Sequence, residues 1–136
     1  MKTPVLTDTN AILALLDRQD PNHTAARSVL PIPMWLPSLI LPEVDYLATT
    51  RLGATTARAF QKGLVRGDFE IIHNTETDFT RALEIQEQYS DLELGLVDSS
   101  IMAIAERLKI QRIFTFDRRH FLAVRPREFG YFELLP

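Results

Sequence analysis

Residues 5–10, VLTDTN, run from an apolar, strand-like stretch into four polar residues, after which residues 11–16, AILALL, resume apolar character. A charge placed where a buried strand meets a buried helix is costly unless it has a partner. Asp8 lies at that junction. Residues 113–117, IFTFD, repeat the arrangement near the other end of the chain and end in Asp117. The two stretches predict buried strands whose carboxyl ends carry acids.

Short apolar runs alternate with amphipathic stretches along the chain, a pattern that predicts an α/β fold. A capping pair, Thr75 and Asp78, opens one of the predicted helices. Strands separated by helices favour a central, mainly parallel sheet that is flanked by helices. The predicted strands are 4–8, 34–37, 68–73, 112–116 and, at an edge, 131–135; the predicted helices are 9–18, 23–30, 38–51, 54–66, 75–89 and 97–108.

Length and composition narrow the class of protein. A chain of 136 residues predicts one domain spanning residues 1–136. The absence of cysteine excludes disulfides and thiolate zinc sites and fits a cytoplasmic protein. No apolar run approaches the roughly 20 residues that a membrane helix needs. The five glycines form neither G-x-G-x-x-G nor a P-loop, so no nucleotide cofactor is expected.

Two further acids fall on predicted core faces of helices. Glu43 shares the apolar face of helix 38–51, whereas Asp45, two residues on, is rotated about 200° away and should face water. Asp98 lies one turn before the apolar residues of a later helix. Taken singly, two of these acids have an ordinary alternative: Asp8 as an N-cap and Asp98 as a first-turn acid favoured by the helix dipole.

The positions of the four acids predict one site. Ligands of open α/β sheets bind beyond the carboxyl ends of the strands, where Asp8 and Asp117 lie. Four carboxylates within ~6 Å of one another would repel by about 15 kcal/mol in all, so they must take up protons, recruit basic side chains or hold a cation. All-oxygen ligands favour Mg²⁺ or Mn²⁺. Asn10 and Thr115 are close enough in sequence to orient these acids by hydrogen bonding, although Asn10 taken singly is more simply an ordinary polar residue in the first turn of a helix.

Four motifs, in this order along nearly the whole chain, resemble those of PIN-domain ribonucleases, and in particular the VapC-type toxins of bacterial toxin–antitoxin pairs. They are Asp-Thr-Asn at 8–10, Pro-Glu-Val at 42–44, LGLVDSSIMAIAERL at 94–108 and IFTFDRRHF at 113–121. The resemblance implies a compact α/β/α domain with a central parallel sheet. It further implies a cytoplasmic Mg²⁺- or Mn²⁺-dependent endoribonuclease that is often homodimeric and is inhibited by a small antitoxin.

The resemblance also assigns roles by motif position. It makes Asp8 and Asp98 direct ligands of one or two ions, with Glu43 and Asp117 completing the quartet, through water or directly. Asn10 and Thr115 match supporting polar positions of the family. The alternative is a noncatalytic PIN-like module that binds RNA or a protein partner and needs no metal.

Several basic residues and one histidine leave two interpretations open. Arg118 and Arg119 either contact the RNA backbone or form a solvated charged loop, within a region, 107–127, that holds seven basic residues and one acid. His120, three residues after Asp117, either contacts substrate or is a surface or packing histidine; the second interpretation is favoured, since no other histidine lies at a metal-ligand spacing from it. A basic stripe is interpreted as solvated surface, with RNA or an acidic antitoxin segment as the alternative; it comprises Arg58, Lys62 and Arg66.

Overall fold

The computed structural model describes residues 3–136; Met1 and Lys2 of the predicted domain lie outside the described residues. Its strands are β1 (Val5–Thr7), β2 (Met34–Pro37), β3 (Glu70–Ile72), β4 (Arg112–Phe114) and β5 (Glu133–Leu135). They form a sheet in the order β3-β2-β1-β4-β5, in which every neighbouring pair is parallel. The predicted parallel sheet, with β5 at an edge, is confirmed.

Seven helices flank the sheet in the described residues. They are α1 (Thr9–Leu16), α2 (His23–Arg27), α3 (Ile40–Leu52), α4 (Ala54–Arg66), α5 (Glu76–Gln88), α6 (Leu96–Leu108) and α7 (Arg118–Ala123), with a short 3-10 turn at Ser90–Leu92. Six were predicted, with ends that differ by up to three residues. The seventh, α7, was not predicted, because six residues are too few to show a helical period.

Local chemistry explains several helix ends. The predicted capping pair forms a complete capping box: Thr75 accepts from the Asp78 N–H, and the Asp78 side chain accepts from the Thr75 N–H. Gly53 joins α3 to α4 with a φ of +98°, a conformation that L side chains rarely adopt. Asp8 precedes α1, and its side chain accepts from the Thr9 N–H.

Alternate residues of the central strands face opposite sides of the sheet, as the period of a strand requires. In β1, Val5 packs in a cluster with α1 and α2 residues, whereas Leu6 packs in the larger cluster that includes Ile85 of α5 and Ile101 of α6. Both are fully buried. Because helices cover both faces of β1, its carboxyl end is the place where polar side chains can emerge from the core.

Two acid–base pairs join α5 to α6. Arg81 binds Glu106 through two hydrogen bonds, of 2.7 Å from Nε and 3.1 Å from Nη2. Arg107 donates to both carboxylate oxygens of Asp78. The side chains of Arg81 and Glu106 are only 12% and 9% exposed, so this pair is shielded from water on both sides.

Glu106→Gln should lower the free energy of unfolding by about 3 kcal/mol, because it leaves the charge of Arg81 buried and poorly compensated. The matched control is Glu84→Gln, which removes an acid that also contacts Arg81 but is 50% exposed; its cost should stay below about 1 kcal/mol. Urea unfolding followed by circular dichroism, at one protein concentration, measures both. Equal losses in the two variants would contradict this account of the pair.

None of the helices in residues 3–136 combines the length and the apolar character that crossing a membrane requires.

Candidate active site

Parallel pairing of β1 with β4 brings Asp8 beside Thr115. The ladder extends one residue past the strands, where the Asp8 N–H donates to the Phe114 carbonyl at 3.0 Å. The Thr115 hydroxyl then donates to Asp8 Oδ2 at 2.9 Å, while Asp8 Oδ1 accepts from the Thr9 N–H at 2.8 Å. Both oxygens of this buried carboxylate are therefore held in place.

Asn10 and Thr115 fix the end of β4 against the start of α1. The amide oxygen of Asn10 accepts from the Phe116 N–H at 3.0 Å. The Thr115 hydroxyl accepts from the Asp117 N–H at 3.0 Å. Asn10 thus orients the backbone that carries Asp117, and Thr115 links that backbone to Asp8.

The four acids predicted from the sequence line one cavity of about 290 Å³, which we call the acidic cavity. Asp8 is buried, Asp98 and Asp117 are half-buried, and Glu43 is exposed. The side chains come from the end of β1, the first turns of α3 and α6, and the residue before α7. The residues lining it are Asp8, Thr9, Asn10, Leu13, Glu43, Leu47, Arg51, Asp98 and Asp117.

The predicted burial of Glu43 is wrong. The buried face of α3 consists of Ile40, Val44 and Ala48, and Glu43 lies beside that face and not on it. The helix starts at Ile40, two residues later than predicted, so Glu43 is a first-turn acid. Its position at the helix start is electrostatically favourable, and its exposure removes the desolvation cost that burial would impose.

The interpretation of His120 as a surface or packing histidine is also wrong. Its Nδ1 atom lies 3.0 Å from Asp98 Oδ2 and 3.2 Å from Asp117 Oδ2. One atom from each of the three side chains falls within 4.8 Å of the other two, a grouping that could hold a metal ion. The signal in the sequence was the spacing of three residues from Asp117, which places both side chains on one face once α7 forms.

Burial and mutual repulsion alter the acids of the cavity. Burial, and then the charge of Asp98, raise the pKa of Asp8 to about 6, against the opposing hydrogen bonds from Thr115 and Thr9. Burial also raises the pKa of Asp98, while the hydrogen bond with His120 acts in the opposite direction. Both raised pKa values mean that the ionised forms of Asp8 and Asp98 are disfavoured in the cavity, a cost that a bound cation would offset.

Sequence reasoning missed Arg51, a basic residue that lines the cavity. Glu43, Leu47 and Arg51 recur every four residues on α3, so they share one face of that helix. Extending this four-residue spacing two turns beyond Glu43 would have identified Arg51 from the sequence. Arg51 is exposed, as a residue at the rim of a cavity would be.

The basic region 107–127 does not form one free surface. Arg107 is bound to Asp78, and Arg127 contacts Glu84 at 3.2 Å. Arg118 and Arg119 are exposed in the first turn of α7, one and two residues after Asp117. They lie on a helix and not in a loop, and their exposure fits both a solvated surface and contact with RNA.

A family model and a known relative both match this chain over nearly its whole length. The family model described as PIN domain matches residues 5–125. Ribonuclease VapC26 of Mycobacterium tuberculosis is 30% identical over 135 residues, which cover 97% of this chain and all of the relative.

Two solved structures share the fold. VapC20 of Mycobacterium tuberculosis, a toxin that cleaves the sarcin–ricin loop, superposes with a TM-score of 0.81 at 22% identity, over 97% of this chain and 99% of that one. A toxin–antitoxin complex from Klebsiella pneumoniae gives a TM-score of 0.66 at 21% identity, over 91% of this chain and 98% of its own.

Proposed function

Because this chain belongs to the PIN-domain family, as a ribonuclease toxin of the VapC type, we propose that it hydrolyses RNA phosphodiester bonds with Mg²⁺ or Mn²⁺ bound in the acidic cavity. The acids that hold one or two ions are Asp8, Asp98, Glu43 and Asp117. Asp8 and Asp98 are the direct ligands in this proposal, and Glu43 and Asp117 complete the site directly or through water.

One observation carries the proposal: four carboxylates converge on a cavity without enough basic charge to balance them. Among residues 3–136, no ion pair involves Asp8 or Glu43, and Asp98 and Asp117 pair only with His120. Arg51 lines the cavity but, in the described part of the chain, forms no ion pair with any of the four acids, and one arginine cannot balance four carboxylates. Asp8 is 5% exposed and is held by hydrogen bonds from neutral groups alone. Oxygen donors in this number fit a hard divalent cation.

The chain's own residues orient the groups around the scissile phosphate. A divalent cation, when bound, lowers the pKa of water and neutralises charge on the phosphate. Thr115 and the Thr9 N–H fix the Asp8 carboxylate, so that it needs little rearrangement to serve as a ligand. Asn10 holds the backbone before Asp117 in place. No side-chain nucleophile is needed in this scheme.

We propose that three arginines contact the RNA backbone. Arg51 lines the acidic cavity, and Arg118 and Arg119 are exposed on α7 beside Asp117. A guanidinium group matches the geometry of a phosphate and binds it through paired hydrogen bonds. RNA that reaches the four acids would pass these side chains, and their charge would offset the repulsion between the phosphates and the cavity.

The partners follow from the same family membership. We propose that a small antitoxin protein binds and inhibits this chain, a proposal that is supported by its similarity in fold to a chain of a toxin–antitoxin complex. We further propose that residues 1–136 form one PIN-like domain, that two copies pair as a homodimer, and that the protein acts in the cytoplasm.

Purified, antitoxin-free protein should cut RNA with Mg²⁺ or Mn²⁺ and lose that activity in EDTA, because the acidic cavity alone lacks the positive charge that phosphate hydrolysis requires. Excess ion added after EDTA should restore the original rate. Gel analysis of end-labelled total RNA measures cleavage without assuming a target.

Three further results distinguish a metal-dependent ribonuclease from a contaminant and from a noncatalytic PIN-like module. A mock purification from cells without the gene must show no cutting. Cleavage that persists in EDTA would contradict the metal-dependent mechanism. RNA that is bound but left intact under every metal condition would favour a noncatalytic PIN-like module.

A further inference from the structure

His120 approaches two acids of the acidic cavity with a single ring atom. Its Nδ1 is hydrogen-bonded to Asp98 Oδ2 at 3.0 Å and lies 3.2 Å from Asp117 Oδ2. An ionised carboxylate oxygen only accepts hydrogen bonds, so Nδ1 is the donor and carries a hydrogen. Each carboxylate has a second oxygen, Oδ1, which this contact does not use.

Packing of α7 against the core holds the imidazole of His120 in this position. Phe121, the next residue, is fully buried and meets Phe132 edge to face at a centroid distance of 5.9 Å, which anchors α7 to the core. Asp117 occupies the N-cap position of α7, yet its side chain makes no cap hydrogen bond within the described residues. Its carboxylate is directed instead toward His120, one turn along the helix.

Resting on the proposed function above, we propose that His120 is a positioning residue, whose Nδ1 holds Asp98 and Asp117 at the spacing that lets both serve one divalent cation. Two carboxylates this close repel each other, and without a donor between them they would separate. A ligand set already assembled before the ion arrives binds it more tightly. Groups that orient metal ligands typically contribute 10–100-fold to metal affinity or activity.

The test compares two substitutions that differ in one donor. In His120→Asn the amide nitrogen occupies nearly the place of Nδ1 and keeps the hydrogen bond, whereas His120→Leu keeps the bulk and removes the donor. His73→Leu is the matched control, because His73 is an exposed histidine remote in sequence from the four acids. Should the leucine variant not fold by circular dichroism, His120→Gln replaces it, with its amide one carbon farther out.

The main measurement is the affinity of each metal-free protein for Mn²⁺ by isothermal titration calorimetry, at one pH. His120→Leu should weaken Mn²⁺ binding by about tenfold or more, while His120→Asn should stay within about threefold of the unsubstituted protein and His73→Leu should not change. With saturating Mn²⁺, RNA cleavage by His120→Leu should recover most of its rate, since a positioning residue acts through the ligands.

Two results would overturn the role of His120: unchanged Mn²⁺ affinity in folded His120→Leu, or an asparagine variant as weak as the leucine one. Either can occur while the unsubstituted protein binds Mn²⁺ and cuts RNA, in which case the proposed function stands and only this inference fails. If the unsubstituted protein binds no Mn²⁺, both fail together.

Discussion

Asp8→Asn and Asp98→Asn proteins should cleave RNA at least about 1,000-fold more slowly than the unsubstituted protein, even with saturating Mg²⁺ or Mn²⁺. Each change keeps the shape of the side chain and removes a negative charge that we propose binds the cation directly. Loss of a metal ligand removes several kcal/mol of transition-state stabilisation, and about 4 kcal/mol corresponds to a 1,000-fold change in rate.

Asp45→Asn is the matched control for this pair. Asp45 lies on α3 only two residues from Glu43, but it is exposed and its Oδ1 accepts from Gln61, away from the acidic cavity. Its substitution should leave the cleavage rate within about twofold, since Asp45 does not line the acidic cavity and surface changes of this kind usually alter stability by no more than about 0.5 kcal/mol. Initial rates on one labelled RNA, with folding checked by circular dichroism, give the comparison. An Asp98→Asn protein within tenfold of the unsubstituted rate would contradict direct ligation.

The prediction of the fold succeeded where the sequence carries a strong period. Short, largely apolar strands that are separated by amphipathic helices are typical of a parallel sheet, and this pattern does not depend on the details of packing. A parallel sheet in turn places every strand's carboxyl end at one edge, so Asp8 and Asp117 could be brought together from sequence alone. The motif resemblance placed Glu43 and Asp98 beside them, and the membership in the family that it implied is confirmed.

The errors concern properties that depend on three-dimensional packing. Whether Glu43 is buried depends on where α3 begins and on which neighbours cover it, and the start of that helix was two residues later than predicted. The contacts of His120 depend on α7, which is too short for its period to be read. Arg51 was missed because an arginine near a helix end is common, and only the cavity distinguishes it from other surface residues.

Asp8 should also make the metal-free protein less stable as the pH rises. Its pKa is about 6 in the folded protein and 3.8 in the unfolded chain, so between these values the folded state binds more protons. The extra proton bound by Asp8 stabilises the folded state. This contribution to the free energy of unfolding is complete below about pH 3.8 and is lost as the pH rises through 6. Its full size is about 3 kcal/mol, of which about 1.4 kcal/mol disappears between about pH 5 and pH 7.5.

Asparagine at position 8 removes this titration and can keep the local hydrogen bonds. Its Oδ1 can accept from the Thr9 N–H, and its amide can donate to the Thr115 hydroxyl, which then turns its own hydrogen toward Asn10 Oδ1, 3.4 Å away. Metal-free Asp8→Asn should therefore gain stability over the unsubstituted protein as the pH rises from 5 to 7.5, by about 1.4 kcal/mol. Subtracting the free energy of unfolding of one protein from that of the other cancels the contributions of most other titrating groups.

Urea unfolding of both metal-free proteins across this pH range, at a fixed protein concentration, measures the difference. A difference independent of pH would show that Asp8 is not an acid of raised pKa in the folded protein.

Saturating Mg²⁺ provides a second test, because a cation binds the ionised carboxylates and stabilises the folded state by mass action. With Mg²⁺ present, the unsubstituted protein should be more stable than Asp8→Asn above about pH 6. The difference between their free energies of unfolding should then change with pH in the opposite direction to that of the metal-free proteins.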